Sequence, residues 1–179
     1  MGGPTHIYGF SFSFFSVLVF LYLSLSSALP ARPSKTNTPA QINSNSVLVA
    51  LLDSHYTEFS ELIEKALLLQ TLEQVVGLNN VTIFAPRNEA LEHDLDPEFK
   101  RFLLEAGNLK SLQVLILSHV IPVRVNSEDW PSHRHHSTLS NNHNVKLSKV
   151  ERVMTVDPAK VTRANDVVKP DGVNNEIER

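Results

Sequence analysis

The chain has 179 residues, with 16 Lys and Arg against 19 Asp and Glu, a formal net charge of −3 and no cysteine. That balance is too mild to mark a nucleic-acid or anionic-membrane binder. The missing thiols exclude cysteine nucleophiles, thiolate zinc sites and iron–sulfur clusters, and leave stability to core packing rather than to disulfides.

In chain order, the first feature is an apolar run from Phe10 to Leu25, broken only by scattered Ser and Tyr. Ser26-Ser27-Ala28 follows, with small residues at the −3 and −1 positions of a cut after Ala28. This layout predicts a secretory signal peptide over residues 1–28, although no Lys or Arg precedes the run. The competing reading is a signal anchor retained in the membrane. A spanning helix needs about 20 apolar residues, and this run is shorter and ends in a cleavage-like site, so no membrane span is expected after cleavage. What remains is roughly 150 residues, a length typical of one domain. Residues 29–46, rich in Pro, Ser, Thr and Asn, predict an exposed lead-in. Thr38-Pro39-Ala40 is its only tripeptide like an O-glycosylated tract.

From Val47 the pattern becomes helical. Phe59, Leu62, Ile63, Ala66 and Leu67 fall at i, i+3, i+4, i+7 and i+8, one face of a helix. Asn80-Val81-Thr82 is the single N-glycosylation acceptor pattern in the chain. The run Val81–Ala85 predicts a short strand that Pro86 ends, with Val81, Ile83 and Ala85 on one face and Thr82 and Phe84 on the other. Asp96-Pro97-Glu98 predicts a capped helix start, Gly107 its end, and Asn108 the cap of the next helix. Leu109, Leu112, Leu115 and Ile116 form that helix's stripe. Beyond Pro122 the texture turns to short β-like runs at Val123–Val125, Thr138–Leu139, Val145–Leu147, Val153–Val156 and Lys160–Thr162. Helices first and strands later predict an α+β domain with a mostly antiparallel sheet.

Few residues offer chemistry. His133-Arg134-His135-His136, with His143 nearby, is the one cluster suited to zinc or copper. It follows Trp130-Pro131-Ser132 in a polar segment holding no carboxylate, and a loop pays ordering entropy to fix ligands, so a solvated loop is the plainer reading. Asp94, Asp96 and Glu98 are explained by turn and cap duties. No nucleophile elbow, phosphate loop or dinucleotide fingerprint is present, and neither a catalytic residue, a metal site nor a cofactor is expected. Lys146, Lys149, Arg152, Lys160, Arg163 and Lys169 make the C-terminal region locally basic. Interleaved Glu151, Asp157, Asp166 and Asp171 make a solvated sheet face the bland reading, and a contact with acidic polysaccharide the sharper one.

A family resemblance adds to this. Thr82-Ile83-Phe84-Ala85-Pro86-Arg87-Asn88-Glu89-Ala90-Leu91 resembles the first signature of the fasciclin domain, a strand entering a helix through a Phe-Ala-Pro corner. Leu117-Ser118-His119-Val120-Ile121-Pro122 resembles its central Tyr-His motif, with Ser118 in place of Tyr. Ala164-Asn165-Asp166-Val167 through Gly172-Val173 resembles the beginning of its second signature. The three keep the family's order over residues 47–179. With the signal peptide and lead-in, the chain is similar to plant fasciclin-like arabinogalactan proteins, in the branch poor in arabinogalactan tracts and without a lipid anchor.

The resemblance implies a single fasciclin-like domain with helices packed on a mostly antiparallel sheet wedge. It implies structural roles for Thr82, Ile83, Phe84, Ala85, Pro86, Asn88, His119, Pro122 and Gly172, while Asn80 is the expected glycan site. It also implies a secreted, non-enzymatic glycoprotein of cell wall or apoplast, an adhesion or matrix-interaction module for wall polysaccharide or extracellular-matrix and cell-surface proteins, with no nucleic-acid partner. The alternative is a secreted metal-binding protein or small hydrolase using the His133–His136 loop. The family closes with an apolar strand ending in Leu-x-Pro, and Asn174 and Asn175 stand where it has an apolar residue and His. Asn is a poor strand former. The closing strand is therefore expected to be incomplete and the chain to fray after Gly172, as in a shortened product of a longer member.

Overall fold

The computed structural model describes residues 43–178 apart from residue 142. The signal peptide expected over 1–28, and the lead-in as far as residue 42, lie outside the described residues.

Among the described residues three helices come first: α1 (Val47–Leu52), α2 (Thr57–Lys65) and α3 (Leu69–Leu78). The first turn of α1 is held from two directions, because Ser46 Oγ accepts from the Leu48 N–H and Asp171 Oδ1 accepts from the Val47 N–H at 2.8 Å. Helix α2 buries Phe59, Leu62 and Ile63, and Ala66 just past its end. Leu67, expected on the same stripe, is instead 73% exposed. Its φ of 56° turns the chain left-handed directly after the helix, so the i+8 position no longer lies over the i position.

Strand β1 (Val81–Pro86) then leads into α4 (Asn88–Asp94) and α5 (Pro97–Leu104). Helix α5 starts as its residues direct: Asp96 Oδ1 accepts from the Phe99 N–H at 2.9 Å and Pro97 occupies the first turn. It stops at Leu104, before Gly107, which lies inside a 3-10 turn at Ala106–Asn108. The Asn108 amide turns back to donate to Phe102 O rather than capping α6 (Leu109–Ser118). Leu112 and Ile116 are the fully buried members of the α6 stripe.

The remaining strands are β2 (Val120–Ile121), β3 (His133–Ser137), β4 (Asn144–Val150), β5 (Val153–Val156), β6 (Ala159–Lys169) and β7 (Gly172–Glu178). They join β1 in a seven-stranded sheet of order β2-β1-β7-β6-β5-β4-β3. Only β1 and β7 run parallel; the other five pairings are antiparallel. The fold is α+β with a mostly antiparallel sheet. Two runs expected as strands are loops. The Thr82 hydroxyl donates to Val123 O and accepts from the Val125 N–H, which takes Val123–Val125 out of any ladder. Thr138–Leu139 leaves β3 in the same way, with the Thr138 hydroxyl donating to His143 O.

The sheet divides the interior into two cores. Val81, Ile83 and Ala85 pack with α1, α2, α3 and α6 in the larger one. Phe84 turns the other way, into a second core with Ile121, Val125, Trp130, Leu147, Val156 and Ile177. The two faces assigned to β1 from its alternation are the ones observed.

The C-terminal segment corrects the expectation of fraying. Gly172–Glu178 is an interior strand, registered along its length with β1 on one side and with β6 on the other. Val173, Asn174 and Asn175 are each 0% exposed. Backbone hydrogen bonds on both edges outweigh the poor intrinsic strand preference of Asn, because such preferences span only about 1 kcal/mol. β7 instead supplies a ladder to both β1 and β6. Among the described residues no helix is long and apolar enough to cross a membrane.

Candidate functional site

The motif residues build a corner. Thr82, Ile83, Phe84, Ala85 and Pro86 are all buried in β1. At the exit, Asn88 makes three hydrogen bonds: Oδ1 accepts from the Glu58 N–H at 3.1 Å, while Nδ2 donates to His55 O at 3.0 Å and to the Thr57 hydroxyl at 2.9 Å. One amide thus satisfies a free N–H in the first turn of α2 and locks the α1–α2 turn against α4. Gly172 faces Val81 so closely that an added Cβ would lie 2.7 Å from Val81 O and 2.8 Å from Val47 Cγ1; β7 can approach β1 there only without a side chain. Pro122 is exposed just past β2, and Asn80 is exposed between α3 and β1.

His119 sits at the C-terminal end of α6. Its Nδ1 bonds to Leu115 O at 2.9 Å and its ring lies 5.3 Å from that of Phe59. Burial pushes the imidazole below its ordinary range, more strongly than the Leu115 carbonyl raises it. The ring lines a pocket of about 450 Å³ together with residues from α2, α4, α6, the β5–β6 turn and the end of β7.

The histidine cluster is not a loop. Residues 133–137 form β3, the outer strand of the sheet, paired to β4 from His133↔Ser148 to Ser137↔Asn144. Pairing with β4 decides this: every second β4 side chain, Val145 and Leu147, is buried, and β3 follows that register despite its polar residues. Alternation then splits the cluster. His133 and His135 are exposed on the outer face, while Arg134 and His136 stand opposite Leu147 and Val145 on the core side. His136 is half-buried and its Nε2 has no partner among the described residues. Burial, and secondarily the Arg134 charge, pushes this imidazole down. Among the described residues no three His, Asp or Glu side chains are placed to share a metal ion.

Cross-strand partners share a face, so His133, His135, Lys146, Ser148, Thr155 and Lys160 continue one surface across four neighbouring strands. Two carboxylates border it. Asp157 accepts from the Lys146 backbone N–H at 2.7 Å, and Glu178 is ion-paired to Arg87.

A buried polar network, not foreseen from the sequence, joins the α1–α2 turn to β6 and β7. The Tyr56 hydroxyl donates to Asp166 at 2.8 Å, the Thr162 hydroxyl donates to Glu176 Oε1 at 2.7 Å, and His55 Nε2 lies 3.2 Å from Glu176 Oε2. Burial raises Glu176, but the bonds from Thr162 and His55 and the charge of Arg163 outweigh it and hold the carboxyl below its ordinary range. Burial, and then Asp166, pushes the Tyr56 phenol far up. These groups are side chains of high sequence separation, and only their polarity was visible beforehand.

The shifts set a pH dependence. His119 and His136 favour the neutral ring when folded, whereas the unfolded chain protonates histidine near pH 6.5. The unfolded state therefore binds more protons below that pH, and stability falls as pH drops from about 6.5. Glu176, depressed when folded, adds a further loss below about pH 4.5 as its protonation begins to favour the unfolded chain. The thermal midpoint should decline from pH 7 to pH 5, with a shallower slope in His136→Gln; a midpoint flat over that range would contradict both histidine shifts.

A wedge of helices on a mixed seven-stranded sheet, with a Phe-Ala-Pro corner pinned by one Asn, defines a fasciclin fold. The fasciclin domain family model matches residues 54–179, and the chain belongs to this family. It is 59% identical over 172 residues to fasciclin-like arabinogalactan protein 17 of Arabidopsis thaliana, covering 94% of this chain and 37% of that one. Fasciclin-like arabinogalactan protein 16 of the same plant is 57% identical over 166 residues, covering 92% and 36%. The chain thus spans little more than a third of the length of these curated relatives. Among solved structures it is similar to a FAS1 domain pair from the insect cell adhesion molecule fasciclin I, with a TM-score of 0.54 at 21% identity, over 70% of this chain and 44% of that one.

Proposed function

We propose that this chain is a secreted cell-wall or extracellular-matrix glycoprotein whose fasciclin domain is a non-enzymatic adhesion module that binds acidic wall polysaccharide. Family membership supports the class, and so do relatives named as arabinogalactan proteins and a similar fold in a cell adhesion molecule. The observation that carries the partner is the outer sheet surface, where His133 and His135 on β3, Lys146 on β4 and Lys160 on β6 share one face. Strands are about 4.8 Å apart, so Lys146 and Lys160, two strands apart on one face, form a basic patch that can meet separate carboxylates of one polyuronide chain. Immobilised polygalacturonate should retain the protein at low salt and release it as ionic strength rises. Lys146→Glu combined with Lys160→Glu should weaken retention roughly fivefold to tenfold, by reversing both lysine charges of the patch. Equal retention of that variant, or equal retention on a neutral glucan, would overturn the polysaccharide assignment.

Asn80 belongs to the same reading as the N-glycan site, exposed just before β1 dives into the sheet. Protein secreted from a eukaryotic host should lose mass on enzymatic deglycosylation, and Asn80→Gln should not. A similar mass loss from both would place the sugar elsewhere.

A further inference from the structure

The pocket beside His119 has a chemistry that the sheet surface does not share. Its volume of about 450 Å³ falls in the range of small-molecule sites. Phe59, Leu62, Leu91, Leu95, Leu115 and Ile177 supply its walls. A sugar would leave most of its hydroxyls unpaired against such walls, a cost of the kind that buried polar groups avoid. Besides His119 and His143, the charged groups on the lining are two carboxylates. Asp94 and Glu178 contribute carboxylates, and neither Lys nor Arg lines the space, which disfavours an anion.

His119 adds the specific element. With Nδ1 against the Leu115 carbonyl oxygen, which can only accept, the proton must sit on Nδ1. Nε2 is then left with a lone pair and has no hydrogen-bond partner among the described residues. Burial keeps the ring neutral, so it offers an acceptor without a charge. The tilted Phe59–His119 pair, at 51° and 5.3 Å, presents aromatic surface that a third ring can meet edge to face.

We infer that this pocket binds a small neutral phenol, its ring against the Phe59, Leu91 and Leu115 walls and its hydroxyl donating to His119 Nε2. The pocket adjoins the polysaccharide surface at Glu178, but neither Lys146 nor Lys160 lines it, so Lys146→Glu with Lys160→Glu should leave binding of a neutral probe unchanged.

The test uses the purified chain and four probes of nearly equal size: 4-propylphenol, propylbenzene, 3-phenylpropanoate and 2-phenylethylammonium. By calorimetry or ligand-observed NMR, 4-propylphenol should bind about fivefold to tenfold more tightly than propylbenzene, the factor of one net hydrogen bond. The anion should bind more weakly than either. Ala90→Phe, which puts a ring where a methyl now lines the pocket, should abolish binding of both neutral probes. His119→Phe should remove the phenol preference while propylbenzene still binds. Should that variant fail to fold, the wild-type His119 Nε2 resonance should move on titration with 4-propylphenol and stay in place with propylbenzene. Equal affinity for the two neutral probes, tightest binding of the ammonium, phenol binding that survives Ala90→Phe, or no binding at all would each overturn the assignment.

Discussion

Phe84→Ala is expected to cost the domain about 3–5 kcal/mol, the range for a buried aromatic truncated to a cavity. Phe84 is 1% exposed and sits in the second core, where it meets Trp130 edge to face at a centroid distance of 6.2 Å. Trp130 is itself held, because its indole N–H donates to Ser148 O at 3.1 Å. The indole therefore cannot simply slide into the space, and much of the cavity would remain. The loss should appear as a lower denaturant midpoint at unchanged slope. Phe99→Ala is the contrast: that ring is 46% exposed and stacks only on Phe102, 6.1 Å away. Its removal should cost about 1 kcal/mol or less. Comparable losses at the two positions would show that the second core does not hold the sheet together.

The second large effect runs the other way. Asn174→Val is expected to stabilise the domain by about 2–4 kcal/mol, because each unpaired buried polar group costs about 1–3 kcal/mol. Both Oδ1 and Nδ2 of Asn174 are buried and make no hydrogen bond of normal geometry among the described residues, although the Tyr56 hydroxyl lies near the amide, on the helix-facing side of β7 beside Ile83. Valine fits the pleat, prefers strands and carries no polar atom. Asn175 tests the reasoning rather than the trend. Its Nδ2 is also orphaned, but its Oδ1 accepts from the Asn165 N–H at 2.8 Å. Asn175→Val would free one group and orphan another, so its net effect should be small. An Asn174→Val midpoint at or below wild type would mean that those amide atoms are satisfied in solution.

The same strand shows where sequence reasoning reaches and where it stops. Several rules that act within a few residues held, whereas Leu67 and Asn108 departed from theirs. Val81–Ala85 alternates between two faces because successive side chains on a strand must do so. Asp96 caps α5 because its carboxylate lies one turn from an unpaired N–H. The Phe-Ala-Pro corner and its family followed from residues adjacent in the chain.

The features that mislead are those whose outcome depends on distant partners. The fate of Asn174 and Asn175 rests on β1, nearly a hundred residues earlier, which pairs with β7 in parallel. The polar segment His133–Ser137 becomes a strand because β4 offers it a ladder, and only that register separates His133 and His135 from His136. The candidate surface was legible as a scatter of basic residues, but their placement on one face needed the pairing of β3, β4, β5 and β6. The pocket was not legible at all, since its walls come from Phe59 through Glu178 and no local pattern marks a shared void. The sequence by itself determined the helical first half, β1, the corner and the family, because propensity, capping and alternation are local energies. Tertiary structure alone decided strand order, the burial of β7 and the placement of the sites, because hydrogen-bond ladders and packing join residues whose separation no periodicity records.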